Sequence, residues 1–264
     1  MTKPAPLQFP IFVPANRPER FAKAAASGTD SIILDLEDAV AADCKTAARA
    51  AANVSFTDLP VVLRINASDT EFHDDDLRLA ASLPFAAVML PKSEKADDIS
   101  RVADMTGHPV IALVESAKGI AAARDLARSD AVMQLAFGSI DFCADLGCEH
   151  EREILLPIRQ ELVIASRLAQ IAAPLDGVTA DVKSPEITRA DARHARALGM
   201  GGKLLIHPAQ VAPVHEAWRP TAAETEWATK VLASGDGAVK VDGAMVDEPV
   251  RIRARAILAH NICL

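Results

Sequence analysis

Tyrosine is absent from this chain of 264 residues, and two Trp with eight Phe bring the aromatic share to only 4%. That scarcity by itself excludes no function. Positive charge is in the minority, 28 Lys and Arg against 36 Asp and Glu, for a net of -8. The deficit argues against nucleic acid or an anionic membrane surface as a general partner, while leaving room for a locally basic pocket. Nowhere do about 18 apolar residues run together, so no membrane span is expected. The opening MTKPAPLQFP places Pro4, Pro6 and Pro10 where a secretory leader needs an unbroken apolar stretch, so no leader is expected. Cys44, Cys143, Cys148 and Cys263 share no zinc-type spacing, and reduced structural thiols in a cytoplasmic protein are the expectation. Also missing are G-x-S-x-G, G-x-x-x-x-G-K-[ST] and H-E-x-x-H, so no nucleophile elbow, phosphate loop or zincin helix is expected. The one glycine-rich turn, Gly199 to Gly202, lacks the context of a dinucleotide fingerprint and reads as a helix C-cap leading into a strand.

What is present is regular alternation. Half the residues are hydrophobic, enough for a substantial core. Short apolar runs at Phe9–Pro14, Ser31–Leu36, Val61–Ile65, Ala86–Leu90, Pro109–Val114, Val132–Phe137, Leu175–Thr179 and Lys203–Ile206 read as eight strands. Helical patterns separate them, the longest at Ile154–Ala172, and Asp145–Arg152 adds a polar insertion. Alternation of this kind implies right-handed βαβ units and a parallel sheet. Eight units fit an α/β fold of the (β/α)8 TIM barrel type better than an open doubly wound sheet, the alternative. Residues 1–220 are assigned to the barrel. Residues 221–264 are expected to form an extension: a helix at Thr221–Leu232, a turn at Ser234–Asp236, a hairpin about Asp242-Gly243 and a final helix, Val250–Ile262.

In a barrel the C-terminal strand ends carry chemistry. Read in order, those ends present Asn16, Arg17 and Arg20, then Glu37 and Asp38, Arg64 and Asn66, Lys92, Glu115, Ser139 and Asp141, Thr179 and Asp181, and His207. The opposite ends carry Pro60, Pro109 and Pro174. Glu115 and Asp141 follow consecutive strands, which lie about 4.8 Å apart when paired. Two carboxylates without His or Cys suit a hard cation that keeps waters and takes ligands from substrate, which points to Mg²⁺; the alternative is ordinary pairing with Arg, Lys or solvent. Arg64, inside the apolar VVLRI, needs an anionic partner, either a substrate oxygen or Glu37 or Asp38. Glu37 and Asp38 either orient Arg64 and waters around the ion or cap the next helix. His207 either bonds a ligand or is structural, and Lys92 and Lys118 are weaker signals.

With these residues laid out, the chain resembles the HpcH/HpaI aldolase superfamily, and within it the citrate lyase β-subunit-like (CitE-like) proteins. The resemblance runs from about Phe12 to Leu258 through VPANRPERFAKAAASG, DSIILDLEDAV, VVLRIN, VMLPKSE, ALVESAKG, LAFGSIDFCADLG, DGVTAD, GGKLLIHPAQV and GAMVDEPV, in that order. It departs at Ala15, where many relatives have Gly, and fits loosely over ASDTEFHDDD after Arg64, a region that helps set substrate choice. The resemblance implies a TIM barrel with Mg²⁺ held by Glu115 and Asp141, and Arg64 binding substrate. It also implies an acid on the C-terminal segment, Asp247, brought to the site in thioester-active relatives, often from a neighbouring subunit. Arg17, Lys92, Ser139 and His207 complete the expected substrate-binding set, with Glu37 and Asp38 beside Arg64 and Asp247 in catalysis.

The expected function is Mg²⁺-dependent carbon–carbon cleavage of a hydroxyacyl-CoA such as citryl-CoA, releasing acetyl-CoA and a 2-oxo acid such as oxaloacetate. Two alternatives stand beside it. One is a pyruvate-enolate aldolase on a free hydroxy-oxo acid; the other is a non-autonomous citrate lyase subunit working on an acyl-carrier partner. Family resemblance favours a homotrimer or hexamer.

Overall fold

The strands are built from residues that avoid water on both faces. In the computed structural model, which describes residues 5–235 and 237–260, these are β1 (Ile11–Pro14), β2 (Ile32–Asp35), β3 (Val61–Arg64), β4 (Ala87–Leu90), β5 (Val110–Val114), β6 (Val132–Phe137), β7 (Ala172–Asp176) and β8 (Gly202–Lys203). Residues of β2, β4, β5 and β6 are buried throughout, the mark of parallel strands covered on one side by helices and on the other by a barrel interior. All neighbours pair in parallel in chain order. Leu205, just past β8, bridges Ile11 of β1, with the Phe12 amide donating to the Leu205 carbonyl at 2.8 Å, and the sheet closes on itself. Cys263, Ile262, Asp236 and Pro4, which enter the expectations above, lie outside the described residues.

Helices α1 (Phe21–Ala25), α2 (Lys45–Ala51), α3 (His73–Ser82), α4 (Ala96–Thr106), α5 (Ala117–Arg128), α6 (Ser139–Leu146), α7 (Arg152–Leu168) and α8 (Pro185–Leu198) alternate with the strands. Their starts are legible chemically: Ser116 caps α5 by accepting from the Gly119 amide, and Ser184 followed by Pro185 caps α8. Ile33, Val62, Met89, Leu113, Ala136, Leu175 and Leu204 fill the barrel. Leu7, from the segment before β1, joins this core, pinned by Gln134, whose amide oxygen accepts from the Leu7 N–H and whose amide nitrogen donates to its carbonyl. A side chain at Gly202 would run into the Gln8 backbone, so the closing rung requires glycine.

Three readings of the sequence are corrected. The expected helix to Ala172 ends at Leu168, because Gln170 takes a left-handed conformation (φ 54) and turns the chain into β7 earlier than expected. Pro174 consequently lies inside β7 and not at a strand start. It is tolerated where the β6–β7 register shifts, Ala172 to Leu175 on β7 facing Gln134 to Ala136 on β6, so its missing N–H breaks no regular ladder. The stretch read as a turn and polar insertion contains α6, whose first turn carries Asp141.

The chain divides into two units, residues 1–214 and 215–264, the division falling within α9 (Val211–Trp218). The second contains α10 (Ala222–Ala233), the antiparallel pair β9 (Val239–Val241) and β10 (Ala244–Val246), and α11 (Glu248–His260). Its own small core is Ala228, Val231, Val246, Ala254 and Ile257, and Arg251 holds the intervening turn by donating to the carbonyls of Gly235 and Gly237. Among the described residues no helix is long and apolar enough to cross a membrane.

Candidate active site

Apolar packing inside the barrel stops one rung below the strand ends. On β2 the inward residues run Ile33 then Asp35, on β3 Val62 then Arg64, and beyond Leu113 of β5 comes Glu115. Period-two alternation carries each of these polar side chains onto the interior above the core. Register sets Asp35 opposite Arg64. The guanidinium grips that carboxylate as a fork, Nε to Oδ1 at 2.7 Å and Nη2 to Oδ2 at 2.6 Å, with the Phe12 ring centroid 4.7 Å away. Nη1 lies 2.9 Å from Glu37 Oε2, near enough to ion-pair but off the line of a hydrogen bond, so that oxygen is buried without a donor.

Glu37 stands on the turn after β2, its amide donating to Asp35 Oδ1 at 2.8 Å and its Oε1 3.7 Å from Lys92 Nζ. Lys92 adopts a left-handed backbone (φ 47), uncommon for a side chain with a Cβ. That twist aims its amide at Glu115 Oε1, 2.7 Å away. Glu115 Oε2 is buried with no partner at all. A Cβ at Gly138 would collide with Glu115, so glycine here lets the α6 turn approach the carboxylate. Asp38, Glu115 and Asp141 border one cavity of about 210 Å³ together with Asp35 and Arg64. Phe12, Leu113, Phe137, Val178 and Leu204 form its apolar wall, and the part-exposed Ile140 and Ile206 stand at its margin.

The cluster is short of positive charge. Burial, then Glu37 and Asp141, push the Glu115 carboxyl up to about 8, against the Lys92 amide and Arg64, which pull it down. Burial pushes Glu37 up to about 7, with Asp38 and Asp35 adding to the effect of burial and Arg64 opposing it. Asp141 is raised as well, by burial and then Asp38. For Arg64 and Lys92 burial alone would lower the pKa, but the surrounding acids outweigh it and both rise. Among the described residues no three His, Cys, Asp or Glu converge to hold a metal unaided. Two acids on one cavity, one with an orphaned buried oxygen and both disfavouring charge in isolation, fit a divalent cation that draws its other ligands from water and substrate.

The remaining expected residues are placed as follows. Ser139 is buried against the cavity, its Oγ 2.9 Å from His150 Nε2. Arg17 is half-exposed and bonds Glu19 at 2.6 Å. His207 Nδ1 accepts from the Ala209 amide, capping a short 3₁₀ turn. Asp247 is exposed in the second unit, between β10 and α11, its carboxylate 3.4 Å from the Val250 amide. Sequence reasoning missed Asp35. The available signal was register, since Asp35 and Arg64 end adjacent strands.

The sequence matches the HpcH/HpaI aldolase/citrate lyase family model over residues 8–208. A citrate lyase subunit beta-like protein of Deinococcus radiodurans is 37% identical over 98% of both chains. A (3S)-malyl-CoA thioesterase of Cereibacter sphaeroides is 30% identical over 96% of this chain and 94% of its own. Among solved structures, the CitE protein of Mycobacterium tuberculosis in complex with magnesium, acetoacetate and coenzyme A superposes with a TM-score of 0.88 at 37% identity, covering 97% of this chain and 98% of that one.

Proposed function

The chain belongs to the HpcH/HpaI aldolase/citrate lyase family, and from that premise we propose that it is a Mg²⁺-dependent carbon–carbon lyase. Its substrate on this reading is a hydroxyacyl-CoA thioester of the citryl-CoA kind, cleaved to acetyl-CoA and a 2-oxo acid such as oxaloacetate. The observation that carries the reading is the orphaned Glu115 Oε2 beside Asp141 and Arg64, in a cavity of about 210 Å³. A second solved complex of the M. tuberculosis protein, 37% identical, holds oxaloacetate and magnesium and supports the same reading.

Glu115 and Asp141 would hold the ion, which supplies a Lewis acid to the carboxylate and oxo groups of the 2-oxo acid portion. Cleavage sends the electron pair of the carbon–carbon bond to the thioester, as an enolate. Arg64, already charged and fixed by Asp35, offers its guanidinium to the developing negative oxygen. The hydroxyl proton must leave and the acetyl carbon must gain one. Glu37 Oε2, in a carboxyl raised to about 7, is suited to hold the first, with Asp38 beside it; we assign delivery of the second to Asp247. Lys92, Ser139, Arg17 and His207 are assigned to binding. The thioesterase relatives favour one further reading, hydrolysis of the thioester at the same site.

Arg64→Ala tests the assignment on citryl-, malyl- and citramalyl-CoA with Mg²⁺, following 2-oxo acid and free thiol separately. We expect a fall in kcat of roughly a hundredfold or more. Free thiol without oxo acid in the wild type would replace lyase by hydrolase. Full turnover in the variant would remove Arg64 from the mechanism.

A further inference from the structure

Bonded to the turn that bears Glu37, and not among the residues that line the cavity, is a buried lysine with no role so far. Lys45, the first residue of α2, is 6% exposed, and its Nζ donates to three neutral oxygens: the Leu36 carbonyl at 2.6 Å, the Glu37 carbonyl at 2.8 Å and Asn66 Oδ1 at 2.7 Å. Three acceptors require three N–H donors, so the group there is the ammonium and not the neutral amine. The Phe72 ring, its centroid 5.5 Å away, flanks the charge. No carboxylate touches Nζ, yet Asp35, Glu37, Asp38 and Asp76 all act on it through space and oppose the lowering that burial brings.

The partners explain what such a residue is for. Glu37 is held through both of its backbone groups: its N–H donates to Asp35 Oδ1, and its carbonyl accepts from Lys45. Asn66, just past β3, is itself saturated, with its Nδ2 donating to the Leu36 carbonyl and to Asp76 Oδ2, and its backbone N–H donating to Asp76 Oδ2 as well. Arg49, on the same helix as Lys45, closes the chain by bonding Asp76 at 3.0 Å. One ammonium thus ties the turn that bears Glu37 and Asp38 to the end of the strand that bears Arg64. Surface lysines do not sit this way, and a lysine needed only for helix formation would leave its amino group in water.

We propose that Lys45 is a positioning residue for the site, holding the Glu37–Asp38 turn at a set place against Arg64 so that the acids stand ready before a cation or substrate arrives. The proposal rests on the functional reading above only for its activity readout; its binding readout, the Mg²⁺ affinity of the purified protein by titration calorimetry, stands without any thioester. Lys45→Met should weaken Mg²⁺ binding about tenfold and lower kcat/KM ten- to hundredfold, within the range of residues that orient ligands from behind. The effect should shrink to less than threefold when Glu37→Gln is already present, since Lys45 acts through that turn. Lys45→Ala should regain activity and Mg²⁺ affinity with methylammonium in the buffer, and not with a neutral amide of the same size.

Gln134→Met, at the opposite end of the barrel, is the comparison for stability alone: it also empties a buried polar network but should leave both readouts unchanged. If Lys45→Met fails to fold, Lys45→Gln, which keeps two donors, is measured in its place. Equal losses with and without Glu37→Gln, losses matched by Gln134→Met, or no response to methylammonium would each overturn the proposal. A wild type that binds Mg²⁺ but cleaves no thioester would sink the functional reading and leave Lys45 to be judged on affinity.

Discussion

Two register-matched ion pairs end strands of this barrel, and the charges around them are of opposite balance. Asp35 faces Arg64 across β2 and β3, and Asp176 faces Lys203 across β7 and β8. The first pair points inward; the second lies on the other face, next to Leu175 and Leu204 of the interior, where Arg159 of α7 reaches Asp176 Oδ1 at 2.7 Å. Burial alone would raise the Asp176 carboxyl, but Lys203 and then Arg159 outweigh it and its pKa is lowered. Around Arg64 the acids outnumber the cations, and Glu37, Glu115 and Asp141 are all raised. Glu37 and Glu115 are buried as Asp176 is, with the opposite outcome, so the sign is set by the opposite charges within reach. Asp176 sits between two cations of the protein itself. The acids around Arg64 lack that compensation, and on the proposed reading a bound cation would supply it.

The sharpest way to break the contrast is to remove one acid from each side. Asp141→Ala or Glu115→Ala should cut turnover by at least about a hundredfold, since on the proposed reading each would remove a ligand of the Mg²⁺ that polarises the substrate. Neither should destabilise the metal-free fold, because each relieves repulsion. Asp176→Ala should do the reverse, costing about 3–5 kcal/mol in urea unfolding by stranding Arg159 and Lys203 in the interior. A Glu115→Ala chain that unfolds as readily as Asp176→Ala would mean the two clusters are alike.

This difference was only half legible in the sequence. Strand β6 falls on the expected residues, Val132–Phe137, because an unbroken apolar run between turn residues has few other readings. Counting strands then set Glu115 and Asp141 after adjacent strands; β5 and β6 do pair, and both acids border one cavity. Asp35 stayed hidden because LDLED offers three acids, and only register says which one takes the fork of Arg64. Asp176 and Lys203 stayed hidden because strands covered on both faces lack an alternating pattern, so nothing local tells an outward charge from an inward one. Lys45 reads as any lysine opening a helix until tertiary contacts bury it. The helix α6 was missed because its eight residues are too few for periodicity to speak.

A smaller effect follows from the titration behaviour. Glu115 binds a proton with a pKa of about 8 in the folded chain against 4.5 for an ordinary glutamate. Between those values the folded state holds more protons than the unfolded, so the metal-free protein loses stability as pH rises from about 5 through 8. Asp176 has the opposite sign, its lowered pKa adding stability that disappears only in acid. The melting temperature in EDTA should therefore decline by a few degrees between pH 5.5 and 8.5. Added Mg²⁺ should recover most at the alkaline end, where it no longer competes with protons. A flat profile in EDTA would show that the acid cluster carries no excess charge.

The smallest expected effect isolates geometry from environment. Arg124 grips Glu161 with the same fork that Arg64 uses on Asp35, Nε at 2.6 Å and Nη2 at 2.9 Å, but with half of the arginine side chain in solvent. Water already satisfies both partners when they separate, and salt screens what attraction remains. Arg124→Ala should leave the urea-unfolding midpoint almost where it is, any small loss fading at high salt, with kcat and KM unchanged. Arg64→Ala breaks an identical fork where solvent cannot replace it, leaving Asp35 and Glu37 facing each other unscreened. If the two variants lost equal stability and activity, hydrogen-bond geometry would explain both, and the deficit of positive charge inside the barrel would explain nothing.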